Sequence, residues 1–246
     1  MPVKTLHQED LDKLLGQTRK TATIQCRMLR PLAGGVPASE KALKAFVEHH
    51  LGIPPESSEF GKALERIQKE EIGERDTTPE GGEVQTEDVY QVNVLRSNGH
   101  GPFILEHQLK ALLKQAASRL GIFAAKGKRG SKGDLAECST ISAHDASLDE
   151  ENPWNILLVN KDGEPAQTCF EIISGRVNTP KGWKSIQHHT EIAPAGSLFA
   201  FRLDWMPTKL SGNDIIDIIA MATQIGIGSC LSLGYGRFEV VEMEVG

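Results

Sequence analysis

The chain has 246 residues, of which 39% are hydrophobic and 24% charged, the balance of an ordinary globular protein rather than a disordered or fibrous one. Lys and Arg total 27 against 33 Asp and Glu, a formal charge of -6, which excludes a surface evenly coated with positive charge and confines any polyanion site to a local patch. No apolar run approaches the roughly 18 to 20 residues that a membrane helix needs. The start, MPVKTLHQEDLDKLLG, carries acids where a signal peptide would carry an apolar core, so a cytoplasmic protein is expected.

In chain order, Leu6, Leu11, Leu14 and Leu15 fall near helical spacing and predict a short amphipathic helix over 5–15. From Thr21 the period changes to two. Ala22, Ile24, Cys26 and Met28 alternate with Thr23, Gln25, Arg27 and Leu29, the pattern of a strand with one buried face. A break and an open loop are expected at RPLAGGVP, because Pro31, Gly34, Gly35 and Pro37 cannot continue a ladder. Ser39 can cap a helix carrying Leu43, Phe46 and Val47 that ends near Gly52 and the Pro54-Pro55 pair, and a second helix follows through Phe60, Leu64 and Ile67. The stretch GERDTTPEGGEVQTED is acidic and almost free of large apolar residues, so it has little to bury and is expected to be mobile. The span from about 31 to 87 reads as an insertion into one domain, with the helices and the acidic segment over 38–87.

Val92 and Val94 restore strand character over 89–95, and SNGHGP turns the chain. Leu105, Leu109, Leu112, Leu113, Ala116 and Leu120 then recur at three- and four-residue steps, a helix with Lys110, Lys114 and Arg119 between its apolar positions and Gly121 as C-cap. AAKGKRGSKGD holds the dense basic cluster of the chain, Lys126, Lys128, Arg129 and Lys132. Strands are predicted over 155–160, 168–174, 186–193 and 198–205, the last with Phe199, Phe201, Leu203 and Trp205 on one face. A helix over 214–225 is apolar almost all round, so it is expected to be buried, and a strand over 237–245 closes the chain. Strands interleaved with two major helices imply α+β sheets with helices on one face. Cys26, Cys138, Cys169 and Cys230 lie far apart without CxxC or CxxH pairing, and are expected as buried free thiols rather than a zinc ribbon or disulfide framework.

Two motifs carry chemistry. GIGSCLSLGYGRFEV, residues 226–240, sets Gly226, Gly228, Gly234 and Gly236 between the apolar helix and the last strand, where they tolerate positive φ and close backbone approach. Its N–H groups can bind phosphate oxygens as a nest, with Ser229 and Ser232 adding hydroxyls and Arg237 a fork. It can equally be a helix C-cap followed by a tight turn. In GHGPFILEHQLKALLKQ, residues 99–115, a Gly-Pro turn delivers Phe103 to Leu105 into the helix bearing Lys110 and Lys114. By itself that is a strand-to-helix turn with solvated lysines. His49-His50 and His188-His189 are adjacent pairs whose members point to different faces, with no carboxylate spacing nearby, so no metal site and no cofactor is assigned.

Together the motifs resemble the RAMP superfamily of CRISPR effector proteins, in particular its backbone subunits that assemble along guide RNA. There a turn of the type G-x-P-x-I-P-G-S-S-L-K-G precedes a helix, and Gly101, Pro102, Phe103, Ile104, Leu109, Lys110 and Ala111 look like it. The family's closing helix, glycine-rich loop and strand are similar to the segment with Gly228, Gly234, Tyr235, Gly236, Arg237, Phe238 and Glu239, and AGSLFAFRLDW at 195–205 is similar to its penultimate strand. The likeness covers about 95–120 and 190–245. Leu105, Glu106, His107 and Gln108 depart from the family's Pro-Gly-Ser-Ser, and Glu106 would repel a phosphate placed there.

The resemblance implies a ferredoxin-like, RRM-like RAMP fold of the α+β class: an antiparallel sheet, a glycine-rich loop before the last strand, and a helical insertion in a single domain. It implies a non-catalytic RNA-binding backbone subunit of a CRISPR-type ribonucleoprotein effector. Its partners would be guide RNA, other effector subunits and copies of itself, with no membrane. The RNA-binding residues expected on that reading are Lys110, Lys114, Lys126, Lys128, Arg129, Lys132, Gly228, Ser229, Ser232, Gly234, Gly236 and Arg237. Some members cut target RNA with an aspartate in the loop after the first strand, but RPLAGGVPASE has none, so cleavage by that route is not expected. Others process guide precursor with a histidine that activates a ribose 2′-hydroxyl. His107 and then His188 are the candidates for that alternative, a metal-independent endoribonuclease. The acidic balance favours another alternative, a scaffold or phage-related interaction protein that kept the fold without RNA binding.

Overall fold

A computed structural model of the chain describes residues 19–38, 40–49, 51–72, 90–122, 135, 138–144, 152, 154–179 and 182–246. The helix predicted over 5–15, the acidic stretch and the basic run with Lys126, Lys128, Arg129 and Lys132 lie outside the described residues.

The period-two pattern produces β1, Lys20–Met28, with Ala22, Ile24, Cys26 and Met28 buried. The bend after it holds two short strands, β2 at Leu32–Ala33 and β3 at Val36–Pro37. Helices α1, Glu40–His49, and α2, Ser58–Arg66, follow, the latter capped by Ser57 and continued by a π turn over Ile67–Ile72. Next come β4, Tyr90–Val94, β5, Ser97–Asn98, and β6, Gly101–Leu105, which feeds directly into α3, Glu106–Leu120. Gly121 ends α3 in the left-handed conformation (φ 70°). The second half comprises β7, Ser139–Ala143, β8, Asn155–Leu157, β9, Cys169–Thr179, β10, Gly182–Ala193, and β11, Leu198–Trp205. Helix α4, Gly212–Ile225, a single 3-10 turn, Leu231–Leu233, and β12, Phe238–Val245, close the chain.

Four strands form one antiparallel sheet in the order β12-β1-β11-β7. In chain order β1, α3, β7, β11, α4 and β12 make a βαββαβ path whose strands stand 4-1-3-2, the ferredoxin-like arrangement. The apolar stripes of α3 (Leu109, Leu112, Leu113, Ala116) and α4 (Ile215, Ile218, Ile219, Ala222) share one core with Ile24, Phe201, Leu203 and Trp205. Phe199 meets Phe238 edge to face at 5.4 Å within it. A second sheet runs β2-β10-β4-β3, with β9 on the other edge of β10 and β4 parallel to β10. Helices α1 and α2 cover it with their own cluster, in which Leu43, Val47, Ala63 and Ile67 pack on Val36 and Val94. The α+β class, the antiparallel sheet and the glycine-rich loop before the last strand are all present. No helix among the described residues is long and apolar enough to cross a membrane.

Several expectations need correction. The segment 31–37 is not an open loop: Ala33 pairs with Ile192 and Val36 with Val94, so the second sheet grips it at both ends. Helix α4 is not buried all round, since Ile216 is 52% exposed while Ile215 and Ile218 are buried. Strand β7, an edge of the ferredoxin-like sheet, has no apolar alternation strong enough to announce it. Of the thiols only Cys26 and Cys138 are buried; Cys169 is exposed and Cys230 partly so.

Candidate functional site

The two motifs, far apart in the chain, meet at one groove of about 540 Å³. Phe103 and Ile104 of β6 and His107, Gln108 and Ala111 of α3 line it from one motif, and Ile227, Gly228 and Ser229 from the other. The bend 31–37 adds Leu32, Ala33, Gly34 and Gly35, the segment after β4 adds Leu95 and Arg96, and α1 and the bend after it add Phe46 and Leu51.

Local chemistry fixes these walls. Gly101 takes φ 120°, and a Cβ there would press on the Pro165 ring at 2.7 Å, so the Gly-Pro turn needs its glycine. The Gln108 side-chain oxygen accepts the Leu105 N–H (3.1 Å) and so caps the start of α3, where Leu105 supplies no side-chain cap. The Phe103 N–H donates to the Arg96 carbonyl (2.9 Å), which anchors the arginine's backbone beside the groove. Buried Glu191 braces both neighbouring segments: its carboxylate accepts the Leu95 N–H (2.9 Å) and the Thr168 hydroxyl (2.6 Å), and its carbonyl accepts the Gly34 N–H (2.9 Å). A Cβ on Gly34 would collide with the backbone at Val94 and Leu95, and one on Gly35 with the Ser229 hydroxyl.

The glycine-rich loop is closed onto this frame. The Ile227 N–H donates to the Gly236 carbonyl (2.8 Å), the Gly236 N–H to the Pro31 carbonyl (2.8 Å) and the Ser229 N–H to the Ala33 carbonyl (3.2 Å). Gly226, Gly228, Gly234 and Gly236 all take positive φ, and so does Cys230 (φ 56°). A Cβ on Gly236 would run into the Ile227 carbonyl, and one on Gly228 would meet the Leu32 side chain and the Ala33 carbonyl. Among the described residues, nothing lies within 4 Å of the Cβ position of Gly234. Much of the donor capacity assigned to a phosphate nest is therefore used inside the chain.

The expected binding residues separate accordingly. Gly228 and Ser229 line the groove; Ser232, Gly234, Gly236 and Arg237 do not. Arg237 is exposed and lies against Arg30, whose N–H donates to the Arg237 carbonyl (3.1 Å). Lys110 and Lys114 are also outside the lining, and Lys110 sits 3.9 Å from Glu106 in an i,i+4 pair. That pairing moderates the repulsion expected from Glu106, which is itself not part of the lining. His107 is in the groove and His188 is on β10, away from it. The sequence gives no signal for Arg96, and it presents Gln108 only as a departure from the turn motif. The Gly34-Gly35 step between Pro31 and Pro37 is the signal for this wall, since it marks a close approach as well as a strand break.

A polar row crosses the second sheet beneath the glycine-rich loop. Thr190 faces Glu171 and His188 faces Ile173 across β9 and β10. Tyr235 and Cys230 pack there against Ala33, Ile173 and Ile192, and the Tyr235 hydroxyl donates to Glu171 (2.8 Å). Burial, reinforced by the Glu171 hydrogen bond and charge, pushes the Tyr235 pKa up to about 12; burial also raises the Cys230 thiol and lowers the His188 imidazole. The Thr190 hydroxyl and His188 Nδ1 have no hydrogen-bond partner among the described residues. Those residues contain no group of three or more His, Cys, Asp or Glu placed to hold a metal ion.

The face of the ferredoxin-like sheet turned away from α3 and α4 carries paired polar side chains. Arg27 bonds Glu239 (2.5 Å), Arg202 bonds Asp204 (3.1 Å), and the Thr21 hydroxyl donates to Asp204 (2.5 Å). Phe199, Phe201, Trp205 and Phe238 are buried in the core on the opposite side. The aromatic stacking platform of an RRM-type sheet is thus missing from β1, β11 and β12.

No family model matches the chain, and no curated protein matches it. Among solved structures it is similar to a chain from the cryo-EM structure of the type III-B Cmr-beta bound to cognate target RNA, at 15% identity and a TM-score of 0.48. The match covers 96% of this chain and 64% of that one, so this chain spans less than two thirds of the length of the solved chain. At that score the likeness assigns nothing by itself, and the ferredoxin-like assignment rests on strand order and direction.

Proposed function

We propose that the chain is a RAMP-type subunit of a CRISPR ribonucleoprotein effector that holds guide RNA without cutting it. The observation that carries this reading is the convergence of the Gly101–Ala111 and Gly226–Arg237 segments on one groove, whose lining includes Arg96 and His107 and, among the described residues, no Asp or Glu. The ferredoxin-like strand order supports it, as does the absence of an aspartate from residues 31–40. RNA would bind through its backbone, with Arg96, Gly228 and Ser229 at the groove and the adjacent Arg30 and Arg237 beside the loop. A second reading, a scaffold that kept this fold without RNA, is favoured by the net charge of -6 and by the loop N–H groups already bonded within the chain.

Titration of labelled single-stranded RNA at low and moderate salt separates the two. Binding with a clear salt slope and little base preference, weakened by Arg96→Ala, supports the RNA subunit. No binding at low salt, for protein expressed alone and with its neighbouring genes, leaves the scaffold. Incubation with guide precursor and target RNA is expected to leave both intact; specific cutting abolished by His107→Ala would transfer the assignment to the endoribonuclease.

A further inference from the structure

We propose that the side of the groove closed by the helical insertion is a nucleotide seat, which takes one base against its apolar wall while the attached phosphate meets Arg96. A groove that held only phosphates would gain nothing from large apolar side chains, yet Phe46, Leu51, Phe103 and Leu32 line this one. The polar contribution comes from Arg96, His107, Gln108 and Ser229, and none of the described lining residues is an acid. An apolar slot beside a cation matches a planar base carrying an anion. The volume, about 540 Å³, lies within the range of roughly 300–1,000 Å³ seen for small-molecule clefts.

The seat also gives the insertion a task. Leu43 and Val47 anchor α1 in the cluster it shares with α2, and Phe46 on the same helix packs partly on that cluster while lining the groove. Every base has an apolar face, so such a seat tolerates any base and is compatible with little sequence preference. The inference leans on the RNA-binding reading only for the source of the nucleotide, which is either one residue of a bound RNA strand or a free nucleotide.

The test compares a short single-stranded RNA with a fully abasic ribose-phosphate oligomer of equal length, with the four nucleoside monophosphates as competitors. It uses wild type, Ala111→Phe and Leu51→Glu. Ala111 and Leu51 are exposed at the groove, so the first variant fills it and the second places an acid in it without touching the core; unchanged melting temperatures confirm folding. The expected result is about tenfold weaker binding of the abasic oligomer by wild type, a difference that both variants abolish. Monophosphate binding that Ala111→Phe blocks, with no RNA binding at low salt, supports the seat with a free nucleotide as source and overturns the RNA subunit. Equal affinity for RNA and the abasic oligomer, with an intact salt slope, overturns the seat and leaves the RNA subunit standing. Failure of both RNA and monophosphates to bind overturns the seat as well.

Discussion

The bend 31–37 and the loop 226–236 are both rich in glycine and interlock at the groove, yet glycine acts differently in each. In the loop, Gly226, Gly228 and Gly236 combine positive φ with close approach to other atoms. In the bend, Gly34 and Gly35 have no positive φ, and what they supply is the missing Cβ that lets Val94, Leu95 and Ser229 come near. Glycine content alone suggests a phosphate cradle; the contacts describe a seam where two segments cross. On the proposed reading, ligand recognition falls to what the seam leaves facing the groove, chiefly Arg96, His107 and Ser229.

The sharpest way to break the comparison is Gly236→Ala. Left-handed strain together with a collision against the Ile227 carbonyl is expected to cost about 3 kcal/mol, or on the order of 10 °C in melting temperature. Gly34→Ala tests close approach without left-handed strain and is expected to cost about 2 kcal/mol by crowding the Val94–Leu95 backbone. Gly234→Ala, with φ 87° and open space around it, is the control for strain alone, about 1 kcal/mol. Equal losses at Gly234 and Gly236 in a thermal scan would refute the close-approach account. Beneath the loop, Thr190→Val removes a fully buried hydroxyl that has no hydrogen-bond partner among the described residues, and is expected to raise stability by about 1 kcal/mol.

Smaller effects sharpen the distinction between seam and ligand site. Arg237→Ala should leave the melting temperature almost unchanged, because the side chain is exposed, while lowering RNA affinity uniformly and the salt slope by about one. Unchanged affinity would remove Arg237 from the binding surface. The smallest effect is a pH dependence. Burial holds the His188 pKa below its ordinary 6.5, so the unfolded chain binds more protons there than the folded one. The stability contributed is complete above pH 6.5 and is lost as the pH falls toward the lowered folded value. Melting temperature should drop on that acid limb, and His188→Gln should flatten the drop; an unchanged limb would show that His188 is not its source.

The helices and strands of the ferredoxin-like core with strong local patterns were legible in the residues alone. The alternation Ala22, Ile24, Cys26, Met28 and the helical steps Leu109, Leu112, Leu113, Ala116 each mark a face that must leave water, and Gly121 stops α3 by its own conformational freedom. The existence of β7 was not, because Ser139–Ala143 owes its strand character to pairing with β11 rather than to an apolar pattern of its own. Nor were β2 and β3, strands of two residues each, which exist only because β10 and β4 lie beside them. For the site, both motifs could be recognised in isolation, along with Gly228, Ser229 and His107. That they share a groove with Arg96, Gly34 and Phe46 was decided by tertiary structure. Glu191 joins the segments bearing Gly34 and Leu95 across long sequence separations, and periodicity reports only which face of an element is buried, never which other element will cover it.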